Sequence, residues 1–164
     1  MKKIIAAVLL LSAVFAAPAF AATPFYAGLA VGDGLTLMGG YQIDKTLSAE
    51  AEYTSYGHRS SYSGCGFTNC GNYADASSLG VFGVGKFPLN LKGAAGLSVF
   101  ARLGLVRTQI TANYAGWTYS ESRIDVAFGG GAQYDFNQTV SARLGLNFNN
   151  AYTNDLYIGA LVRF

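Results

Sequence analysis

The sequence predicts an all-β fold: an eight-stranded antiparallel up-and-down transmembrane β-barrel. Three observations point there. Long stretches alternate apolar and polar residues with the period of two that belongs to a strand. The rows opposite the apolar ones hold Arg and Glu in mid-strand. Connections alternate between short turns and longer polar stretches, as in a meander whose two ends differ.

The elements are predicted in order from patterning and turn chemistry. The first strand covers residues 25–31 and closes on Gly32, Asp33 and Gly34; the second covers 35–43, before Asp44, Lys45 and Thr46. The third covers 47–56, and a polar stretch then runs to Asn72. The fourth covers 73–87 and turns at Pro88, Leu89 and Asn90; the fifth covers 97–112. Gly116 and Trp117 lead to the sixth at 119–136, Asn137 and Gln138 to the seventh at 139–148, and 149–154 to the last at 155–164.

The faces are clearest in the seventh strand, where Ala142, Leu144, Leu146 and Phe148 oppose Ser141, Arg143, Gly145 and Asn147. In the fifth, Leu97, Val99, Ala101, Leu103 and Leu105 oppose Ser98, Phe100, Arg102 and Gly104. In the sixth, Ile124, Val126 and Phe128 oppose Arg123, Asp125 and Gly129, and in the third Ala49, Ala51 and Tyr53 oppose Ser48, Glu50 and Glu52. An Arg or Lys facing hydrocarbon at mid-bilayer costs about 2–4 kcal/mol. The charged rows are therefore expected to face the lumen, and the apolar rows the lipid. Tyr53, Tyr56, Tyr134, Phe136 and Phe148 are expected to form interfacial girdles. An even strand number puts both termini and the short turns on the periplasmic side. The stretches 57–72, 113–118 and 149–154 are then extracellular loops.

Residues 1–21 read as a cleaved signal peptide: Lys2 and Lys3, an apolar run over 4–17, and the small-x-small pattern Ala19-Phe20-Ala21. The run is shorter than the roughly 20 residues a spanning helix needs. Cleavage leaves one barrel domain over 22–164. A net charge of +2 without a basic run gives no reason to expect a nucleic-acid partner.

Cys65 and Cys70 lie in the longest outer stretch, and an even count in an exported chain favours a disulfide. With His58 they make an incomplete zinc set, so no metal site is expected. His58, Ser60 and Ser61 lack a third catalytic member, so no enzyme is expected. Gly28, Gly32 and Gly34 are followed by no helix, which excludes a nucleotide loop. No cofactor is expected.

Gly159, Val162 and the terminal Phe164 resemble the C-terminal signal read by the β-barrel assembly machinery. Further motifs resemble the OmpA-type transmembrane barrel: Gly40-Tyr41-Gln42-Ile43 with Glu50 and Tyr53; Phe87-Pro88-Leu89 with residues 97–104; and residues 130–134 with Ala142-Arg143-Leu144 and Asn149-Asn150. The OmpX-type small barrels are near relatives. The resemblance implies an interior ion pair between Glu50 and Arg143, which Glu52, Arg102, Arg123 and Asp125 extend into a lumen network. The family's second interior pair falls on Val84 and Gln133, so its exchange partners are expected to be lost, with Lys86 nearby but displaced by two positions. OmpA also carries a soluble peptidoglycan-binding domain. No such domain is expected here.

Eight strands are just wide enough for a barrel to fill with its own side chains, so no open pore is expected. The function expected is that of a small outer-membrane barrel with a structural and surface-interaction role and a plugged lumen. Its partners would be outer-membrane lipids and lipopolysaccharide, the assembly machinery, and a host or surface ligand at the outer loops, where Tyr62, Tyr73, Tyr114, Trp117 and Tyr119 lie. The alternatives are an OmpX-type adhesin or serum-resistance barrel, a narrow ion channel, or a lipid A-modifying enzyme.

Overall fold

The computed structural model describes residues 24–65, 68–89, 91–114, 117–149 and 153–164, with backbone alone over 58–73 and at 114, 149, 153 and 154. The expected signal peptide lies outside the described residues. Eight strands follow one another: β1 (Phe25–Val31), β2 (Leu35–Gln42), β3 (Leu47–Cys65), β4 (Thr68–Pro88), β5 (Leu97–Tyr114), β6 (Trp117–Asp135), β7 (Val140–Asn149) and β8 (Thr153–Arg163). Each pairs antiparallel with its chain neighbours, and β1 pairs with β8 to close the barrel. Closure removes the sheet edges that an open meander would leave unpaired.

The period-two pattern decides which way each side chain points. Phe82, Val84, Phe100, Arg102, Gln133, Arg143 and Tyr157 are buried in the lumen. Their chain neighbours Val81, Leu103, Leu105, Tyr134, Leu144, Leu146, Leu156 and Ile158 are exposed on the outside. An apolar exterior around a charged interior is the inverse of a soluble domain and suits a bilayer. Aromatic pairs mark the end that carries the termini: Phe25–Tyr41 and Tyr134–Phe136, both edge-on at 5.1 Å between ring centroids. Tyr56, expected in a girdle, instead points inward, its hydroxyl 3.4 Å from Ser78 Oγ. Its side chain follows the inward row of β3.

The strands are very unequal. β1 and β2 have 7 and 8 residues, whereas β3, β4, β5 and β6 have 19, 21, 18 and 19. Pairing of β2 with β3 ends at Leu35↔Ser55, and pairing of β6 with β7 starts at Ala127↔Asn149. Beyond those rungs β3–β6 continue together as a four-stranded blade at the end away from the termini. The expected loops at 57–72 and 113–118 are therefore corrected to hairpins. β3 and β4 pair out to Cys65↔Thr68, and β5 and β6 out to Tyr114↔Trp117. The alternation fades there because neither face needs lipid above the bilayer, while the backbone ladder needs no particular side chain. The change is visible rung by rung on the outer face. Ala51–Val81–Leu105–Val126 is apolar, Tyr53–Leu79–Arg107–Ile124 is mixed, and Ser55–Ser77–Gln109–Ser122 is polar. Next to the polar rung β3 carries a bulge between Ser55 and Gly57, and Gly57 has φ +79°. Only a residue without Cβ adopts that conformation cheaply.

At the terminal end the β2–β3 turn is held by Asp44, whose Oδ1 accepts from the Thr46 and Leu47 amides at 2.7 and 2.8 Å and from the Thr46 hydroxyl at 2.9 Å. The Thr46 amide, then the Thr46 hydroxyl and the Leu47 amide, hold this carboxyl below the usual aspartate range. A lowered folded-state pKa adds stability above the unfolded value and loses it as pH falls through the folded value. Carbon-detected NMR of Asp44 is expected to give a midpoint below about 3.9, with the Thr46 amide shifting in step. A midpoint at the ordinary value would contradict the turn.

Candidate functional site

Mid-strand charges from opposite walls meet across the lumen. Arg143 on β7 is 4% exposed and Glu50 on β3 is 3% exposed. Arg143 Nη1 donates to both Glu50 oxygens, at 2.7 and 2.9 Å. Its Nε and Nη2 donate to Gln133 Oε1 at 3.2 and 3.0 Å. The Tyr26 hydroxyl donates to Glu50 at 2.6 Å and lies 3.1 Å from Ser48 Oγ. Arg102 on β5 grips Glu52 with a bidentate fork at 2.8 and 3.1 Å. Its Nε donates to Asn147 Oδ1 at 2.9 Å, and its Nη1 stands 3.8 Å from Glu50. Glu50 thus sits between two guanidinium groups. Pairing with satisfied hydrogen bonds is what allows such charges to remain buried.

Aromatic faces close the remaining space. Arg102 lies 4.1 Å from the Phe82 ring centroid and 5.3 Å from that of Tyr157, and Arg143 lies 4.7 Å from that of Phe100. These are cation–π distances. The rings lie flat because glycine faces them from the next strand. A Cβ added to Gly145 would stand 2.6 Å from the Tyr157 ring, and one added to Gly40 would collide with Tyr26.

Towards the termini a second cluster gathers on Asp135. Its Oδ1 accepts from Gln133 Nε2 at 2.8 Å, Ser141 Oγ at 2.6 Å and Arg163 Nη2 at 3.2 Å, and its Oδ2 stands 3.3 Å from Lys86 Nζ. Gln133 joins this cluster to the Arg143–Glu50 pair. Lys86 and Asp135 lie two residues along their strands from Val84 and Gln133. An interior pair is therefore present, one rung nearer the terminal end than the resemblance located it. Asp135, Arg163 and Tyr26 are not among the sequence-predicted site residues, although Asp135 shares the parity of Asp125 and Gln133 on β6. Parity carried to the strand end is the signal that finds Asp135.

Arg123 and Asp125 pair with each other at 2.8 Å rather than with the central groups. They lie on the part of β6 that passes into the blade. Asp125 Oδ2 is buried without a hydrogen-bond partner among the described residues. At the same end Asp155 accepts the Asp33 amide at 2.9 Å. Of the C-terminal residues, Gly159 pairs with Ala30 and Arg143, Val162 with Ala27 and Val140, and the Phe164 amide donates to Phe25 O at 3.1 Å. The register sets Cys65 opposite Thr68 and Cys70 opposite Ser63. The side chains of Cys65, Cys70 and His58 lie outside the described residues.

This geometry defines a class: a small membrane barrel whose charged side chains pair with one another across the lumen. Residues 7–164 match the model of the outer membrane protein beta-barrel domain family, and the chain belongs to that family. Membership places it in the Gram-negative outer membrane. No curated protein matches the chain. Among solved structures, the N-terminal β-barrel domain of Pseudomonas aeruginosa OprF superposes with TM-score 0.58 at 14% identity, covering 88% of this chain and 100% of that one. Neisserial surface protein A superposes with TM-score 0.56 at 18% identity, over 88% and 100%. Yersinia pestis Ail, in complex with the heparin analogue sucrose octasulfate, gives TM-score 0.52 at 14% identity, over 85% and 94%. At these identities the likeness is one of fold.

Arg143→Ala is expected to destabilise the barrel by about 3–5 kcal/mol, because Glu50 is left buried without its main partner. The double variant Glu50→Gln, Arg143→Met should recover most of that loss. Urea unfolding in lipid vesicles reads both, and equal instability of the two variants would contradict the assignment.

Proposed function

We propose that this chain is a small OmpA-like outer-membrane barrel with a structural and surface-interaction role, its lumen plugged by its own side chains. The observation that carries this reading is the connected set Glu52–Arg102, Glu50–Arg143–Gln133 and Asp135–Lys86, which crosses the lumen from wall to wall. Water and ions would have to break several charge-assisted bonds to pass. The end bearing the termini and shorter turns is read as periplasmic, which points the blade outward from the cell. Residues 1–21 are read as its signal peptide, and Gly159, Val162 and Phe164 as the signal met by the assembly machinery. Outer-membrane lipids and lipopolysaccharide surround the apolar wall. The Cys65–Cys70 disulfide belongs to this reading. Diagonal partners on a ladder stand roughly 7–8 Å apart, and a disulfide spans about 4.4–6.8 Å, so the bond draws the hairpin tip together.

The blade favours the second reading, an OmpX-type adhesin or serum-resistance barrel. Along residues 117–126, β6 has no partner on its outer side among the described residues. Trp117 is 83% exposed and Tyr119 62%. The sulfated sugar carried by Ail, a neighbour in fold, supports a surface ligand in general terms.

In planar bilayers the purified protein is expected to stay silent, and an Arg102→Ala, Arg143→Ala variant to conduct in steps. Cells whose copy lacks residues 57–72 should keep the barrel and lose surface binding. Steady conductance by the unaltered protein would overturn the plug, and unchanged binding by the shortened one would overturn the role of the blade.

A further inference from the structure

The lumen opens at the terminal end into a shallow mouth with about 20 Å³ of room, continuous with solvent and lined by Gln42, Lys45, Ser48, Lys86, Arg143 and Arg163 among others. We propose that this mouth is a binding site for a phosphate-class oxyanion, which enters head-on from the terminal side. The proposal rests on the barrel reading above and not on which side of the membrane that end faces.

Charge is the first argument. Arg143 is neutralised by Glu50. Lys86 and Arg163 share a single carboxylate, Asp135, at 3.3 and 3.2 Å. Lys45 is exposed and makes no ion pair among the described residues. The neighbouring acid, Asp44, stays ionised in its turn, so the four cations of the mouth, Lys45, Lys86, Arg143 and Arg163, face three carboxylates, Glu50, Asp135 and Asp44. The mouth therefore carries excess positive charge, and low-dielectric walls focus such a field. The other end of the lumen has the opposite character, with Asp33, Asp125 and Asp155 against Arg123. An anion is drawn to one end only.

Donor capacity is the second argument. An ammonium has three donors, and Lys86 spends one of them on a side chain. The Gln42 amide group makes no side-chain hydrogen bond among the described residues, though it lines the same mouth. Asp135 demonstrates the chemistry. Its carboxylate collects Lys86, Arg163, Ser141 and Gln133, so the residues here already hold one oxyanion, supplied by the chain itself. An incoming phosphate takes Lys45, Gln42 and the free donors of Lys86, and competes with Asp135 for Lys86 and Arg163.

This competition gives the test two signs. The protein is prepared in a maltoside micelle free of phosphate and titrated with sodium phosphate against sodium chloride at equal ionic strength, while the Gln42 side-chain amide and the backbone amides of Lys45 and Lys86 are followed by NMR. Saturable shifts with phosphate and not with chloride are expected. Lys45→Ala should weaken binding about tenfold through loss of one charge-assisted bond, and Asp135→Asn should tighten it about tenfold by removing the competitor. A second arm uses phosphatidylglycerol nanodiscs without free phosphate. Shifts at the same amides there assign the phosphate to lipid headgroups, and their absence assigns it to a free ion. Shifts that follow ionic strength alone, or Asp135→Asn binding no tighter than the parent, would overturn the site. Lys45 stands in an exposed turn, so its variant remains readable if Asp135→Asn folds poorly. Heat-shifted mobility on a semi-native gel reports separately whether the barrel itself formed.

Discussion

A barrel of eight strands has no room for bulk water, yet every strand must turn half of its side chains inward. That constraint governs the rest of the structure. Hydrocarbon outside excludes charge from the outward rows, so ionised groups collect in the lumen and each must find a partner there. Arg143 reaches across to Glu50, Arg102 to Glu52, and Asp135 gathers Lys86 and Arg163. Glycines such as Gly145 give up side-chain volume so that Tyr157 and its neighbours can lie flat over these groups. Polar pairing, ring stacking and missing Cβ atoms are three answers to one shortage of space.

The same constraint ends abruptly at the outer rim. Above the rung Tyr53–Leu79–Arg107–Ile124 the strands leave the apolar layer, the next outer rung is polar, and pairing resumes beyond the bulge at Ser55 and Gly57. The backbone ladder runs through the blade, with side-chain bonds such as Arg107–Ser122 and Asn113–Thr118 beside it. The inward row opens to solvent here too: Arg123 is 56% exposed at the side chain, and Asp125, its partner, keeps one oxygen without a hydrogen bond among the described residues. Close packing near the termini and exposed side chains at the far end divide the molecule into a filled barrel and an open blade.

Much of this was legible in the residues. Alternation identifies β1 to the residue, and it locates the starts of β2, β3 and β5 and the lumen side of Glu50, Glu52, Arg102 and Arg143. It fails where its cause is absent. Hydrophobic period reports contact with lipid, so residues 57–72 read as loop although β3 and β4 continue through them. The second lumen pair reads as lost, because Val84 and Gln133 stand at its positions, whereas Lys86 and Asp135 form one a rung away. A shift of two residues preserves the face of a strand, so parity allowed either position and only packing chose. Tyr26 was invisible because a tyrosine in β1 reads equally well as girdle or lumen until its hydroxyl is seen on Glu50.

The most direct test is nitroxide spin labelling of single-cysteine variants, made in a background free of Cys65 and Cys70, in lipid vesicles. Labels at Val81, Leu105 and Leu146 sit on the exposed apolar rows and labels at Ser77 and Gln109 on the polar rung of the blade. Oxygen, which concentrates in lipid, should relax the first group most strongly, and a water-soluble nickel chelate should relax the second. Nickel reaching Val81 and Leu105 as readily as Ser77 would mean that the apolar rows face water, and the inside-out arrangement on which everything else rests would be wrong.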